Sequence, residues 1–401
     1  MLIEKLSQET TILVSLSVIL LCGFLLAGIA ARARLPQVSA YIITGMLIGP
    51  YALNIIPKNL MGDMSFVSDI ALAFIAFSAS RFFDREIIKK TGMSIMVITL
   101  FEVMLAGVLV TVSMLVIFRL DLKLALLLGA IATATAPAST VMTIKQYHAQ
   151  GEFVDKLLQI VALDDIVCLL VFSFVAAVMN SGENGAASFV TALIPIFLNV
   201  WMIGVGACFA ILLERLMRLH HHNKDTRLII TISLLFGLSG FCSILDVSPL
   251  LASMAFGAVY VNKAKDRELY DQLDVFTPPI MLLFFVIAGM NLDLGILASF
   301  GFVGAVYFVI RIIGKYVGTY IGCRIYKMRK PIRNYLGVAL IPQAGVSIGL
   351  SFLAQRILPE DIGSLLMTII LASSVLYELI GPICAKIALM QSGAIQHDDS
   401  D

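Results

Sequence analysis

Ile160-Val161-Ala162-Leu163-Asp164-Asp165-Ile166-Val167-Cys168 places two adjacent carboxylates inside an apolar run over residues 153–179. A run of that length exceeds the roughly 20 residues that a helix needs to cross a bilayer. Carboxylates at hydrocarbon depth are expensive and mark function. Working outward, similar runs recur at 10–31, 37–56, 64–80, 93–117, 122–145, 187–213, 228–244, 248–262, 272–290, 295–323, 332–355 and 362–390. With 153–179 that makes thirteen expected crossings. The composition agrees: 59% hydrophobic and 14% charged over 401 residues, where a soluble domain carries roughly a quarter charged. Mean hydropathy is +0.96. The expected fold class is an all-α polytopic membrane protein. The first run is too long for a signal-peptide core and has no leading positive stretch, so it reads as a spanning helix.

Charge sets the topology. With thirteen crossings, Lys5, Lys58, Arg119, Lys123 and Arg356 fall on one side, Arg311 and Lys315 fall within a span, and the remaining 21 of the 28 Lys and Arg residues fall on the other. Treating 228–262 as one crossing would send Lys263–Arg267 and Arg324–Arg333 to the wrong face, so Asp246-Val247-Ser248-Pro249 is read as a break. Basic loops stay cytoplasmic. The expectation is a cell (inner) membrane protein, N-terminus outside and C-terminus cytoplasmic, with a short polar tail over 392–401. A net charge of +1 gives no reason to expect nucleic acid as a partner. The six cysteines lie in apolar runs without CxxC spacing and read as core residues. No P-loop or GxGxxG appears in a strand–helix context. A transporter driven by an ion gradient fits better than an enzyme, and no cofactor is expected beyond the transported Na+, Li+ or K+ and H+.

The ionisable residues inside the spans are the candidate site. Asp164 and Asp165 point about 100° apart on a helix and suit a proton or a hard monovalent cation, which prefers oxygen ligands. Lys315, in Arg311-Ile312-Ile313-Gly314-Lys315-Tyr316-Val317-Gly318, is the expected partner of an Asp. Arg311 lies one turn away on the same face. Gly314, Gly318 and Gly322 form a stripe that lets another helix come close. Glu102 and Glu378 also fall in spans; each reads as a neutral hydrogen-bonded acid or as part of a proton route. His220-His221-His222 reads as an inert surface run or a pH sensor.

Two spans break themselves. Thr133-Ala134-Thr135-Ala136-Pro137-Ala138-Ser139-Thr140 and Ile341-Pro342-Gln343-Ala344-Gly345 each put proline and small residues at mid-span. Proline frees a carbonyl one turn back, and unwound backbone at that depth survives only where it lines a cavity or protein interior. Breaks at matching places in two halves point to a transporter's midplane site. The breaks match if residues 1–183 and 226–391 are inverted repeats joined by a linking helix over 184–225, which predicts crossed discontinuous helices. Thr133, Ala134 and Thr135 would then help complete a cation's oxygen shell.

Leu35-Pro36-Gln37-Val38, Gly45-Met46-Leu47-Ile48-Gly49-Pro50, the Thr-Ala-Thr-Ala-Pro break, Ala162-Leu163-Asp164-Asp165 and Ile313-Gly314-Lys315-Tyr316-Val317-Gly318 together resemble the monovalent cation:proton antiporter-2 family, in that family's order and over nearly the whole chain. The resemblance implies a dimeric Na+/H+ antiporter in which Asp165 carries the ion or proton and Asp164 pairs with Lys315. Asp165 and Asp164 would be the cation ligands. Two places depart from the pattern. Ser78-Ala79-Ser80 stands where many members have Gly-x-Glu, and Pro342-Gln343-Ala344-Gly345 where many have Pro-Arg-Gly-Glu. The second puts cation selectivity in question and leaves Gln343 as a possible site residue. Electrogenic exchange of two protons per cation is expected if Lys315 supplies the second proton. The alternatives are K+/H+ antiport or a Na+-coupled organic-anion symporter of similar architecture.

Overall fold

The computed structural model describes residues 8–32, 37–83, 85, 92–136, 140, 143–144, 147–181, 188–219, 224–245, 247, 249–264, 266, 268–343 and 345–395. Lys5, Leu35-Pro36, Pro137–Ser139, His220–His222, Ala344 and the tail from 396 lie outside the described residues, as does the side chain of Asp165. The described residues form sixteen α-helices: α1 Gln8–Arg32, α2 Gln37–Ile48, α3 Lys58–Asp63, α4 Ser65–Ala79, α5 Met93–Val116, α6 Leu122–Ala132, α7 Glu152–Ser181, α8 Ser188–Leu219, α9 Lys224–Ile244, α10 Pro249–Ala264, α11 Glu268–Phe276, α12 Pro278–Met290, α13 Leu294–Ile325, α14 Lys330–Ala339, α15 Gly345–Ile357 and α16 Glu360–Gln391. A 3-10 turn, Ser80–Phe83, extends α4.

A described helix overlaps each expected apolar run, and the differences in extent have local causes. The run 228–262 divides into α9 and α10, with Pro249 opening the second, where its missing N–H does no harm. The run 272–290 bends by 51° between α11 and α12, where Pro278 and Pro279 open a new helix. Residues 49–57 leave the helical path, so the run 37–56 is helical only as α2. Apolar composition alone marks an apolar stretch without saying where its helix stops. Five described helices are long and apolar enough to cross a membrane unaided: Thr10–Arg32, Met93–Val116, Asp225–Ile244, Leu294–Ile325 and Glu360–Gln391. Leu21, Phe24, Leu25 and Ile29 on α1 are more than half exposed, a face that suits hydrocarbon.

The helices pack as two groups. One contains α5, α6, α7 and α13–α16; the other contains α1, α2, α4 and α8–α12. In each, small residues set the contact, as expected where lipid removes the hydrophobic drive between helices. A Cβ on Gly314, Gly318 or Gly322 would lie 2.6 Å from Ala106 Cα, 2.6 Å from Glu102 Cα and 2.8 Å from Ile98 Cα respectively. The glycine stripe of α13 therefore runs antiparallel against the backbone of α5. Gly289 does the same for α12 against the backbone of α2 at Ile42.

Between the groups, contacts are sparser and partly ionic. Lys58 pairs with Glu360 at 2.6 Å, and Arg356 with Asp69 at 3.2 Å. Beside them lies a cavity of about 350 Å³ lined by Lys58, Ser68, Asn291, Gln355 and Arg356.

Candidate functional site

The centre of the first group is where two helices stop short. After α6, Thr133 turns and Ala134–Ala136 leave the helical path; after α14, Leu340 turns and Ile341–Gln343 do the same. The two stretches meet, and Ala136 N–H donates to Pro342 O at 2.9 Å. Helix ends leave carbonyls without intrahelical partners, and here side chains of α13 serve them.

Tyr307, Arg311, Lys315 and Thr319 recur at a spacing of four and present one buried face to the breaks. Arg311 Nε donates to Ala132 O at 2.9 Å, Nη1 to Ile341 O at 2.7 Å, and Nη2 to Ala134 O. Its guanidinium lies 4.7 Å from the ring centroid of Tyr377, and the Tyr377 hydroxyl donates to Phe308 O at 3.1 Å. One turn earlier, the Gln343 amide donates to Ile131 O at 2.8 Å and to the Tyr307 hydroxyl at 3.2 Å.

Lys315 meets the other side of the first break. Its ammonium donates to Thr133 O at 2.6 Å, to Thr135 Oγ1 at 2.7 Å and to Asp164 Oδ2 at 3.1 Å. Thr135 Oγ1 in turn donates to Asp164 Oδ2 at 2.5 Å. The ammonium also forms an ion pair with Glu102. Lys315, Asp164 and Glu102 are all fully buried. Asp164 Oδ1 has no hydrogen-bond donor among the described residues, and the Glu102 carboxyl lies beside Asp164.

The candidates named from the sequence are therefore placed as follows. Asp164, Lys315, Thr133, Thr135 and Glu102 form one cluster. Arg311, Ala134 and Gln343 form a second, adjoining one built mainly on backbone carbonyls. Thr133 O and Ala134 O, considered as cation ligands, accept from Lys315 and Arg311 in this structure. Asp165 lies on α7 beside Asp164, with its side chain outside the described residues. Glu378 is buried on α16 next to Tyr377, and no hydrogen bond or ion pair joins it to either cluster among the described residues. At the first departure from the antiporter-2 pattern, Ser80 Oγ occupies the space beside Gly257 that a Cβ there would need. Sequence reading missed Tyr307 and Tyr377. The spacing of Tyr307 from Arg311 was the available signal for the first; the second had none.

The sequence pattern of the family described as "Sodium/hydrogen exchanger, transmembrane" matches residues 16–386. The chain belongs to the sodium/hydrogen exchanger family. It is a multi-pass membrane transporter, not an enzyme, as the antiporter-2 resemblance implied. Among relatives of this exchanger is the "High-affinity Na(+)/H(+) antiporter NhaS3" of Synechocystis, 22% identical over 391 residues that cover 84% of this chain and 81% of that one. Another is the "Probable Na(+)/H(+) antiporter 3" of Methanocaldococcus jannaschii, 23% identical over 92% of this chain and 94% of that one. The exchanger's fold is similar to the solved structure of the sodium proton antiporter MjNhaP1 from the same archaeon at pH 8, with a TM-score of 0.78, 18% identity and coverage of 97% of this chain and 99% of that chain.

Proposed function

We propose that this chain exchanges a monovalent cation, Na+, for protons by alternating access at a midplane site centred on Asp165 and Asp164. The observation that carries the reading is the fully buried Lys315–Asp164 pair at the first helix break, with no donor to Asp164 Oδ1 among the described residues. A buried ion pair at a broken helix is a costly arrangement, and it is of use where one partner can be exchanged. Asp165 holds the cation or a proton, and Asp164 turns from Lys315 to the cation when it arrives. Thr133 and Thr135 hold Lys315 in register. Arg311 and Gln343 keep the two breaks in shape.

Support for inverted repeats over 1–183 and 226–391 comes from helix pairing. Exchanging the halves interchanges α2 with α10 and α4 with α11–α12. The α2–α12 contact then becomes the α10–α4 contact, and both exist. In this reading thirteen crossings place the N-terminus outside and the C-terminus in the cytoplasm of the cell membrane. The second helix group forms a homodimer, and the first swings the site between faces. Lys58, Arg356 and their cavity lie at the outer end.

Exchange is electrogenic in this proposal, with two protons per cation. Asp165 carries one. Because Lys315 has two carboxylates within reach, the second is assigned to the coupled cluster rather than to one residue. Each net charge is worth about 2.3 kcal/mol per 100 mV, so an imposed potassium–valinomycin potential should drive flux; indifference to it refutes electrogenicity. The deciding experiment adds Na+, K+ or Li+ to proteoliposomes and follows proton release. Na+-driven release that vanishes in Asp165→Asn is expected. Release driven only by K+ would move the assignment to K+/H+ antiport, and no release without an organic anion would move it to a symporter.

A further inference from the structure

Glu102 is one of the two carboxylates around Lys315 and has no separate role in the exchange just described, yet it is fully buried in a helix where an ionisable residue is expensive. Its position follows from the glycine stripe. Gly318 brings α13 so close that a Cβ there would lie 2.6 Å from Glu102 Cα. The Glu102 carboxyl emerges beside α13 less than one turn from Lys315, and the two side chains pair. Its carboxyl lies beside the Lys315 ammonium and the Asp164 carboxyl at once.

This addresses a difficulty in the proposed exchange. If Asp164 were the sole counter-ion of Lys315, turning it toward a cation would leave a buried ammonium uncompensated, the situation in which loss of one partner is most destabilising. We infer that Glu102 is a positioning residue: it holds the Lys315 ammonium against Thr133 O and Thr135 Oγ1 while Asp164 turns away to the cation. The inference rests on the exchange reading above and deepens it. Lys315 is held from two helices, α5 and α7, and only the partner on α7 is needed at the cation site. Glu102 does not touch the cation; its effect reaches the cation through the freedom of Asp164.

The test measures Na+-dependent exchange in proteoliposomes of the full chain. Glu102→Gln should raise the KM for Na+ by about tenfold or more, a part of what losing a buried partner costs, and a larger change than any in turnover at saturating Na+. Glu102→Asp, which keeps the carboxylate, should recover most of the lost affinity. A parental KM in Glu102→Gln overturns the inference, as does a fall in turnover with KM unmoved, which a merely structural role would give. Should Glu102→Gln fail to fold, Glu102→Gln combined with Lys315→Gln removes both charges and should restore the folded yield. Failure of the pair where Lys315→Gln alone folds also overturns it. A parental protein with no Na+/H+ exchange sinks the function reading; a parental protein that exchanges, with Glu102→Gln unaffected, sinks only this one.

Discussion

Arg311 and Lys315 sit one turn apart on α13, both fully buried, and their surroundings have almost nothing in common. Arg311 is bound by three backbone carbonyls from two breaks and lies over an aromatic ring. Lys315 is bound by two carboxylates, a hydroxyl and one carbonyl. A carbonyl belongs to the chain and cannot leave; a carboxylate on a side chain can turn. The first cation is fixed structure, and the second is a part with alternatives. The planar fork of a guanidinium suits the first task and the compact ammonium the second.

Removing Arg311 should give the largest effect. Arg311→Met orphans three buried carbonyls at about 1–3 kcal/mol each, a sum comparable with the whole stability of many domains. Failure to accumulate as folded, monodisperse protein is expected, and Arg311→Lys should not rescue it because one ammonium cannot span both breaks. A well-folded Arg311→Met protein would erase the distinction between the two pockets.

Asp164→Asn comes next. Losing one partner of a buried pair usually costs about 3–5 kcal/mol, but Lys315 retains Glu102. A smaller loss of thermal stability is expected, together with near-complete loss of exchange. If its melting temperature falls as far as that of the Arg311 variant, the carboxylates are frame and not moving parts.

Gly318→Ala should be milder still, about 1–3 kcal/mol of overpacking against α5. Gly28→Ala, where nothing lies within 4 Å of the added carbon, should be neutral or slightly stabilising. Equal melting temperatures for the two would mean that the close approach carrying Glu102 to Lys315 is not tight.

Much of this was legible in the residues. The double Asp, the membrane Lys and the two proline-bearing breaks are chemically conspicuous in apolar runs, and the resemblance to antiporters rested on them. The pairing of Glu102 was not, because a run such as 93–117 is apolar all round and does not reveal which face meets which neighbour. The glycine stripe at 314, 318 and 322 announced a close partner without naming it. That Thr133 O and Ala134 O face protein cations depended on how the two breaks and α13 meet, which is a long-range matter. The helix ends at Ile48 and Phe276 were missed because turn geometry, and not hydropathy, ends those helices.

Of the carbonyls that hold Arg311, Ala132 O is the last of α6, and Ala134 O and Ile341 O lie just past the ends of α6 and α14. The end of a helix behaves as roughly half a negative charge, and two such ends together match one guanidinium. Among the described residues, Arg311 is thereby compensated by peptide dipoles and the Tyr377 ring. A cation entering the neighbouring cluster then feels little repulsion from that turn of α13, and the potential that meets it is set by the carboxylates and the single ammonium among them.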